Sequence, residues 1–227
     1  MRDWSPSRVA AAAGARLAAG EGDGGPSRVV IDSRGVGPGD LFVGLPGERV
    51  DGGAFAQAAL DAGAWGVLVG PGHAPSGGTV LTAEDPLAAL QALARAWRRE
   101  LGAQVIGVTG STGKTSTKDL LAAMVATGRR VTATAQNLNT EIGLPLTILG
   151  APAGTEVLVL EMAMRGAGQI AELVAIAEPD VGVIVNVGPV HLELLGTIEN
   201  IAAAKAELVR DLRPGAVAVV PAGERLL

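Results

Sequence analysis

The chain has 227 residues, of which 48% are hydrophobic and 18% are charged, and it contains no cysteine. Such a chain can form one large domain or two small ones, and its composition excludes a disordered protein, a disulfide scaffold and thiol catalysis. Lys and Arg total 18 against 23 for Asp and Glu, and this net charge of −5 argues against nucleic-acid binding. No apolar run approaches the ~20 residues of a membrane helix, so we expect a cytoplasmic protein without membrane insertion.

The first 83 residues predict a small mixed α/β domain. Ser5 and Pro6 are typical of a helix start, and we expect this helix to extend to Ala19. Short apolar segments between turns rich in Gly and Pro predict strands, and an Ala-rich segment predicts a second helix. We expect strands at 28–32, 40–43, 65–69 and 79–82, and the second helix at 54–62.

Residues 84–227 predict a parallel sheet with helices on both faces. Asp85 suits the N-cap of a helix over 86–101. After that helix, continuous runs of Val, Ile and Leu alternate with helical segments, an order typical of strands covered on both sides. We expect strands at 105–109, 130–134, 156–160, 181–187 and 216–220, and helices at 114–126, 168–177 and 198–212.

The most specific motif is the glycine-rich segment between the strand at 105–109 and the helix at 114–126. Backbone N–H groups in such a loop converge on an anion, and the helix dipole adds positive potential. A lysine at the helix start reaches the outer phosphates of a nucleotide, and the threonine after it offers a hydroxyl to Mg²⁺. A strict Walker A motif has glycine where this chain has Val108. We expect a phosphate-binding loop formed by Gly110, Ser111, Thr112, Gly113, Lys114, Thr115 and Ser116.

Three further residues are candidates for the same site. Glu161 follows the apolar strand at 156–160, and an acid at the carboxyl end of a parallel strand lies beside the phosphate loop of its neighbour. One or two such oxygen ligands suffice for Mg²⁺, which keeps several waters. His191 follows another strand that ends at this edge, and it suits either a metal ligand or a structural role. Lys205 lies on an apolar helix face, where a lysine that extends its ammonium to solvent is the alternative.

Together these segments resemble the Mur ligase family, the ATP-dependent enzymes that form amide bonds in peptidoglycan synthesis. The family loop reads Thr-Gly-x-x-Gly-Lys-Thr, and residues 109–115 match it, including the absence of glycine at position 108. The N-terminal segments resemble the family's uridine-nucleotide domain, although Gly53 stands where a histidine is common. The segments that carry the resemblance are 32–34, 38–43, 47–55, 137–145, 161–170, 186–193 and 204–207.

The resemblance implies catalytic and metal-binding roles for five side chains. Lys114, with the loop amides, holds the phosphates of ATP. Thr115 and Glu161 hold one Mg²⁺, and His191 binds a second. Lys205 is the lysine that is carbamylated in many members, and a carbamate converts a buried cation into an anion beside the metal.

The resemblance also implies a substrate site and a reaction. Within the family the chain is most similar to the ligase that joins D-alanyl-D-alanine to UDP-N-acetylmuramoyl-tripeptide through an acyl phosphate. The residues implied to contact this substrate are Ser33 and Arg34 at its UDP part, and Asn137, Asn139, Thr140 and Glu141 near its peptide end.

Members of the family have a third domain and are about twice this length. We therefore expect a truncated, monomeric form with a substrate domain at 1–83, an incomplete ATP domain at 84–227 and little activity alone. Two alternatives stay open. One is the ligase of the family that adds a diamino acid, and the other is a non-catalytic module that binds nucleotides or UDP-sugars.

Overall fold

The computed structural model describes residues 1–20, 24–190 and 192–227. They form two compact units, Met1–Trp97 and Arg98–Leu227. The α-helices are α1 (Pro6–Ala13), α2 (Ala56–Asp61), α3 (Pro86–Leu101), α4 (Lys114–Val125), α5 (Gly143–Gly150), α6 (Gln169–Ala177), α7 (Leu192–Leu195) and α8 (Ile198–Arg210). The strands are β1 (Arg16–Ala19), β2 (Arg28–Val30), β3 (Asp40–Val43), β4 (Gly66–Val69), β5 (Thr79–Thr82), β6 (Gln104–Thr109), β7 (Val131–Ala133), β8 (Val157–Glu161), β9 (Val181–Ile184) and β10 (Val217–Val219). Within the described residues, no helix is long and apolar enough to cross a membrane.

The first unit contains a five-stranded mixed sheet in the order β1-β5-β4-β3-β2. β1 pairs antiparallel with β5, and the other neighbours pair in parallel. Phe42, Val67 and Val69 are buried in its core with residues of α2. The small mixed α/β domain predicted from the sequence is therefore confirmed.

The first predicted helix is too long. Ser5 does cap it, since its Oγ accepts a hydrogen bond from the N–H of Arg8 at 3.3 Å. The helix ends at Ala13 because Gly14 adopts a left-handed φ of +62° at the C-cap. The remaining predicted residues, Arg16–Ala19, form β1 and complete the edge of the sheet instead.

The second unit contains a five-stranded sheet in the order β10-β9-β6-β8-β7, and every pairing is parallel. Helices cover both faces. Val108 faces α4 in a cluster with Val157 and Val159. On the opposite face, a Cβ added to Gly107 would lie 3.2 Å from Leu208 of α8. This confirms the predicted doubly covered parallel sheet.

Helix α5 was not predicted from the sequence. Its segment is almost entirely apolar, and six of its eight residues are buried, so it has no polar face to reveal a helical period. Pro145 reads as a turn signal, yet it occupies the third helical position, where an N–H would have no partner within the helix. A buried helix and a loop are therefore hard to distinguish in this stretch.

Candidate functional site

The glycine-rich loop spans residues 110–113, between the end of β6 and the start of α4. Gly113 has a left-handed φ of +75°, a conformation that favours glycine over other residues. A Cβ added to Gly110 would lie 3.0 Å from the Cβ of Val185, so a side chain there would crowd the neighbouring strand end. Both glycines therefore shape the turn that exposes the N-terminus of α4.

Val108, which departs from the strict Walker A pattern, belongs to the core rather than to the loop. It lies in β6, is fully buried and contacts Val157 and Val159 of the neighbouring strand. A glycine here would remove buried apolar contacts without changing the turn at 110–113. The departure is thus compatible with a phosphate-binding loop.

Lys114 begins α4 and extends its ammonium over the loop. Its Nζ donates hydrogen bonds to the carbonyl oxygens of Gly110 at 2.8 Å and Ser111 at 3.3 Å. Thr115 and Ser116 follow on the exposed side of the helix start. This end of α4 presents a cation, two hydroxyls and backbone N–H donors, which together suit an anionic ligand.

Glu161 lies beside the loop and is almost fully buried, with 3% of its surface exposed. The hydroxyl of Thr115 donates to its Oε2 at 2.8 Å, and the amide of Asn139 donates to its Oε1 at 2.9 Å. The backbone N–H of Glu161 donates to Oγ1 of Thr134 at 2.9 Å. This fixes the carboxylate at the carboxyl end of β8, next to the phosphate loop.

The pairing of Thr115 with Glu161 has the donor chemistry of a Mg²⁺ site. Hydroxyl and carboxylate oxygens are hard ligands, and Mg²⁺ in nucleotide sites takes only one or two of them from the protein. His191, predicted to bind a second ion, lies outside the described residues, so its role stays a prediction. Apart from that position and residues 21–23, no group of three or more acidic or histidine side chains forms a metal cluster.

A cavity of about 320 Å³ lies next to Asn139, the residue that donates to this carboxylate. Asn139 links the two, because its side chain bonds to Glu161 while its carbonyl accepts a hydrogen bond from the N–H of Ala163 at 2.9 Å. The lining contains a guanidinium, a carboxylate and two carboxamides beside apolar surface. The lining residues are Asn139, Thr140, Glu141, Ala163, Met164, Arg165 and Gln169.

Three of the four residues predicted to lie near the peptide end of a substrate line this cavity, namely Asn139, Thr140 and Glu141. The fourth, Asn137, is exposed, and its carbonyl accepts a hydrogen bond from the N–H of Asn139 at 2.8 Å. The structure adds Arg165 to the cavity, a residue to which the sequence assigned no contact.

Lys205 lies on α8 with 2% of its surface exposed. Burial, with a smaller contribution from the charge of Lys114, lowers the pKa of its ammonium to about 8. Two positions later, Glu207 accepts hydrogen bonds from the N–H groups of Gly168 at 2.6 Å and Ala171 at 3.0 Å. Glu207 therefore caps the N-terminus of α6 from a neighbouring helix and fixes this part of α8.

Ser33 and Arg34 belong to the first unit, in a 3₁₀ turn of residues Ser33–Gly35 that follows β2. The carboxylate of Asp32 accepts hydrogen bonds from the Arg34 backbone N–H at 3.0 Å and from its guanidinium at 2.9 and 2.7 Å. These bonds to Arg34 hold the pKa of Asp32 at about 2. The turn thus presents an oriented, exposed guanidinium at the carboxyl edge of the first sheet.

Gly53, where the family resemblance led us to expect a histidine, lies against the ring of His73. A Cβ added to Gly53 would be 2.6 Å from Cδ2 of His73. Nε2 of His73 lies 2.9 Å from Oδ2 of Asp51, whose other oxygen accepts the N–H of Gly53 at 2.8 Å. His73 is half-buried and fills the space that a side chain at position 53 would need.

Sequence reasoning assigned no individual role to Asn186, although it lies directly against the phosphate loop. Its side-chain Oδ1 is 3.0 Å from the N–H groups of both Ser111 and Thr112. The available signal was the same one that identified Glu161, a polar residue just after a strand of the parallel sheet. The sequence does not show that β9 lies beside β6, so it does not indicate this contact.

A glycine-rich loop between a central parallel strand and a helix, with a threonine and a buried carboxylate beside it, defines the class of P-loop α/β proteins. Residues 108–226 match the family described as "Mur ligase middle domain", and residues 27–98 match "Mur ligase family, catalytic domain". The chain belongs to the Mur ligase family.

Relatives and solved structures agree with this assignment. The chain is 44% identical over 201 residues to a UDP-N-acetylmuramoyl-tripeptide–D-alanyl-D-alanine ligase of Bacillus subtilis, an alignment that covers 88% of this chain and 44% of the relative. It is similar to the structure of MurF from Acinetobacter baumannii, with a TM-score of 0.89, 29% identity and coverage of 96% of this chain and 49% of that one. MurF ligase from Thermotoga maritima in complex with ADP has a TM-score of 0.81 and 41% identity over 87% of this chain and 46% of that one. The chain spans about half the length of the curated relatives it matches.

Proposed function

We propose that the protein carrying this chain forms an amide bond between UDP-N-acetylmuramoyl-tripeptide and D-alanyl-D-alanine at the expense of ATP. The observation that carries the proposal is the contact of Glu161 with both Thr115 of the phosphate loop and Asn139 of the 320 Å³ cavity. Asn139 thus links the carboxylate beside the phosphate loop to a cavity large enough for an amino-acid residue. Relatives named as ligases for these two substrates support the choice of substrates.

The reaction follows from the weak electrophilicity of a carboxylate. The terminal carboxylate of the tripeptide attacks the γ-phosphorus of ATP, which forms an acyl phosphate and releases ADP. The amine of D-alanyl-D-alanine then attacks the acyl carbon and loses a proton, which gives the amide and inorganic phosphate. Lys114 and the N–H groups at the start of α4 stabilise the charge on the phosphoryl group during its transfer.

Thr115 and Glu161 would hold one Mg²⁺, which neutralises phosphate charge when bound. His191 is assigned to a second ion on the family resemblance. Lys205 is assigned as the carbamylated lysine, and its lowered pKa supports this because an uncharged amine can attack carbon dioxide. Because Lys205 is buried, the negative charge of a carbamate there would need a nearby metal ion to balance it.

The substrate assignment places the UDP part of the donor at Ser33 and Arg34, in a domain over residues 1–83. Residues 84–227 are assigned to ATP and to the peptide end, which Asn137, Asn139, Thr140 and Glu141 would contact. An exposed guanidinium in the first unit suits a diphosphate group. We further propose a monomeric cytoplasmic enzyme that acts in cell-wall biogenesis and so in cell shape and division.

The magnesium dependence of ADP binding tests the nucleotide half of this proposal. Excess Mg²⁺ is expected to increase the ADP affinity of the wild-type chain. In Glu161→Gln this magnesium-dependent increase in affinity should be roughly tenfold smaller, because the substitution removes the anionic ligand. ADP affinity in EDTA should not fall, since the substitution removes a negative charge beside the phosphates. Isothermal titration with Mg²⁺ and with EDTA gives both values.

Glu156→Gln is the matched control, because Glu156 immediately precedes the amino end of the same strand, at the opposite edge of the sheet. It should keep the full magnesium gain. Equal magnesium dependence in the wild-type chain and the folded Glu161→Gln variant would contradict the role of Glu161 as a metal ligand. It would also contradict the proposed chemistry.

A further inference from the structure

Asn186 uses its whole side-chain amide to hold the tip of the phosphate loop. Its Oδ1 accepts from the N–H groups of Ser111 and Thr112, both at 3.0 Å. Its Nδ2 donates to the carbonyl oxygen of Thr112 at 3.2 Å and to the Thr112 hydroxyl at 3.1 Å. An asparagine side chain offers two donor hydrogens and one acceptor oxygen, and all of them are directed at the residue pair 111–112.

A second set of hydrogen bonds joins the phosphate loop to the segment 186–188. Oγ of Ser111, a buried residue, donates to the carbonyl of Gly188 at 2.9 Å and accepts from its N–H at 2.8 Å. The backbone carbonyl of Asn186 also lies 3.1 Å from the N–H of Ser111. The loop tip is therefore attached to the segment 186–188 through side chains from both sides.

These bonds determine which N–H groups of the loop can face an anion. Those of Ser111 and Thr112 are directed at Asn186. The first intrahelical bond of α4 runs from the N–H of Thr117 to the carbonyl of Gly113 at 2.9 Å. The N–H groups of Lys114, Thr115 and Ser116 precede that bond and lack an acceptor within the helix, as the first N–H groups of any helix do. They are the donors that a phosphate group would meet.

We propose that Asn186 is a positioning residue for the nucleotide. It fixes residues 111–112 so that the N–H groups in the first turn of α4 converge on the phosphates, without touching the nucleotide itself. The inference rests on the proposed function, because that function supplies the nucleotide. A loop that is already fixed loses less conformational entropy on binding, and removal of Asn186 should therefore weaken affinity.

Two measurements on three variants test this role. In the ligand-free chain, Asn186→Leu should accelerate hydrogen exchange of the Thr112 amide at least roughly tenfold, because this amide loses its acceptor, whereas the Ser111 amide keeps the backbone carbonyl of residue 186. Asn186→Asp keeps an oxygen acceptor and should retain the slow exchange. Under conditions where the proteins are fully folded, Asn186→Leu should weaken ADP binding roughly tenfold in a titration with Mg²⁺. Asn200→Leu is the control, since Asn200 also bonds to a backbone carbonyl, that of Leu195 in the same unit at 2.7 Å.

The outcomes separate this inference from the proposed function. Unchanged exchange of the Thr112 amide in a folded Asn186→Leu variant would overturn the inference. Faster exchange with unchanged ADP affinity would also overturn it, because Asn186 would then be structural only. If the wild-type chain does not bind ADP at all, the proposed function is wrong and the positioning role falls with it, whatever the exchange data show. Faster exchange and weaker ADP binding in Asn186→Leu, with neither in Asn200→Leu, is the result that we expect.

Discussion

Lys114→Ala is expected to weaken ATP binding by roughly 30- to 150-fold, since a charge-assisted contact with phosphate in a site this polar contributes ~2–3 kcal/mol. Binding of UDP-N-acetylmuramoyl-tripeptide through Ser33 and Arg34 should be unaffected. The reason is that Lys114 lies in the second unit, with its ammonium over the loop at Gly110 and Ser111, whereas the turn with Ser33 belongs to the first unit.

Separate titrations of the variant with ATP and with the UDP-substrate measure the two affinities. Arg129→Ala is a suitable control, because it removes one positive charge from the same unit, beyond the far end of α4. It should change neither affinity. Loss of both affinities in a folded Lys114→Ala variant would contradict the assignment of two separable sites.

The second large effect is on stability, and here the substitution is expected to stabilise the chain. Lys205→Met is expected to stabilise the chain at pH 7 by on the order of 2 kcal/mol. The pKa of the Lys205 ammonium falls from 10.5 to about 8 on folding, chiefly because the group is buried. The unfolded chain therefore binds the proton more tightly than the folded chain, so the charged lysine costs folding free energy.

The lowered pKa of Lys205 also determines how its effect on stability depends on pH. The destabilisation is complete below about pH 8, where Lys205 is charged in both states, and it disappears as the pH rises towards 10.5. The stability that Lys205→Met gains over the wild-type chain should therefore decrease as the pH rises from about 8 to 10.5. Urea unfolding at pH 7 and pH 10, in buffer free of carbon dioxide so that no carbamate forms, measures the difference.

Lys118→Met provides the contrast. Lys118 is also buried, but its Nζ donates to the carbonyl of Thr134 at 2.8 Å and pairs with Asp119. Its replacement leaves a buried carbonyl without this donor and should destabilise the chain. If Lys205→Met were destabilising at pH 7 as well, Lys205 would have to be held by compensating interactions of its own.

The elements that the sequence predicted with the correct bounds are those with a strong local signal. β3, β5 and α3 begin and end where turn residues or a capping aspartate predict it, and Asp85 accepts the N–H groups of Leu87 and Ala88 at 2.9 and 3.0 Å. Helix α1 was extended too far because the residues after Gly14 are compatible with a helix until they pair with β5. That pairing is a long-range contact, which no local pattern contains.

The same distinction applies to the candidate site. The loop at 110–113 and its lysine are neighbours in the chain, so the sequence alone predicts them. The contact of Glu161 with Thr115 could be expected from the general rule that parallel strands end at one edge. The contacts of Asn186 and Glu207 depend on which strand lies beside β6 and on how α8 meets α6, and sequence order does not determine either.

The most direct test of the proposed function is a calorimetric titration of this chain with UDP-N-acetylmuramoyl-tripeptide and, in comparison, with the corresponding dipeptide. We expect the tripeptide to bind more tightly, because the cavity linked to Glu161 through Asn139 would receive its third residue. Tighter binding of the dipeptide would contradict it and would indicate the ligase that adds the diamino acid.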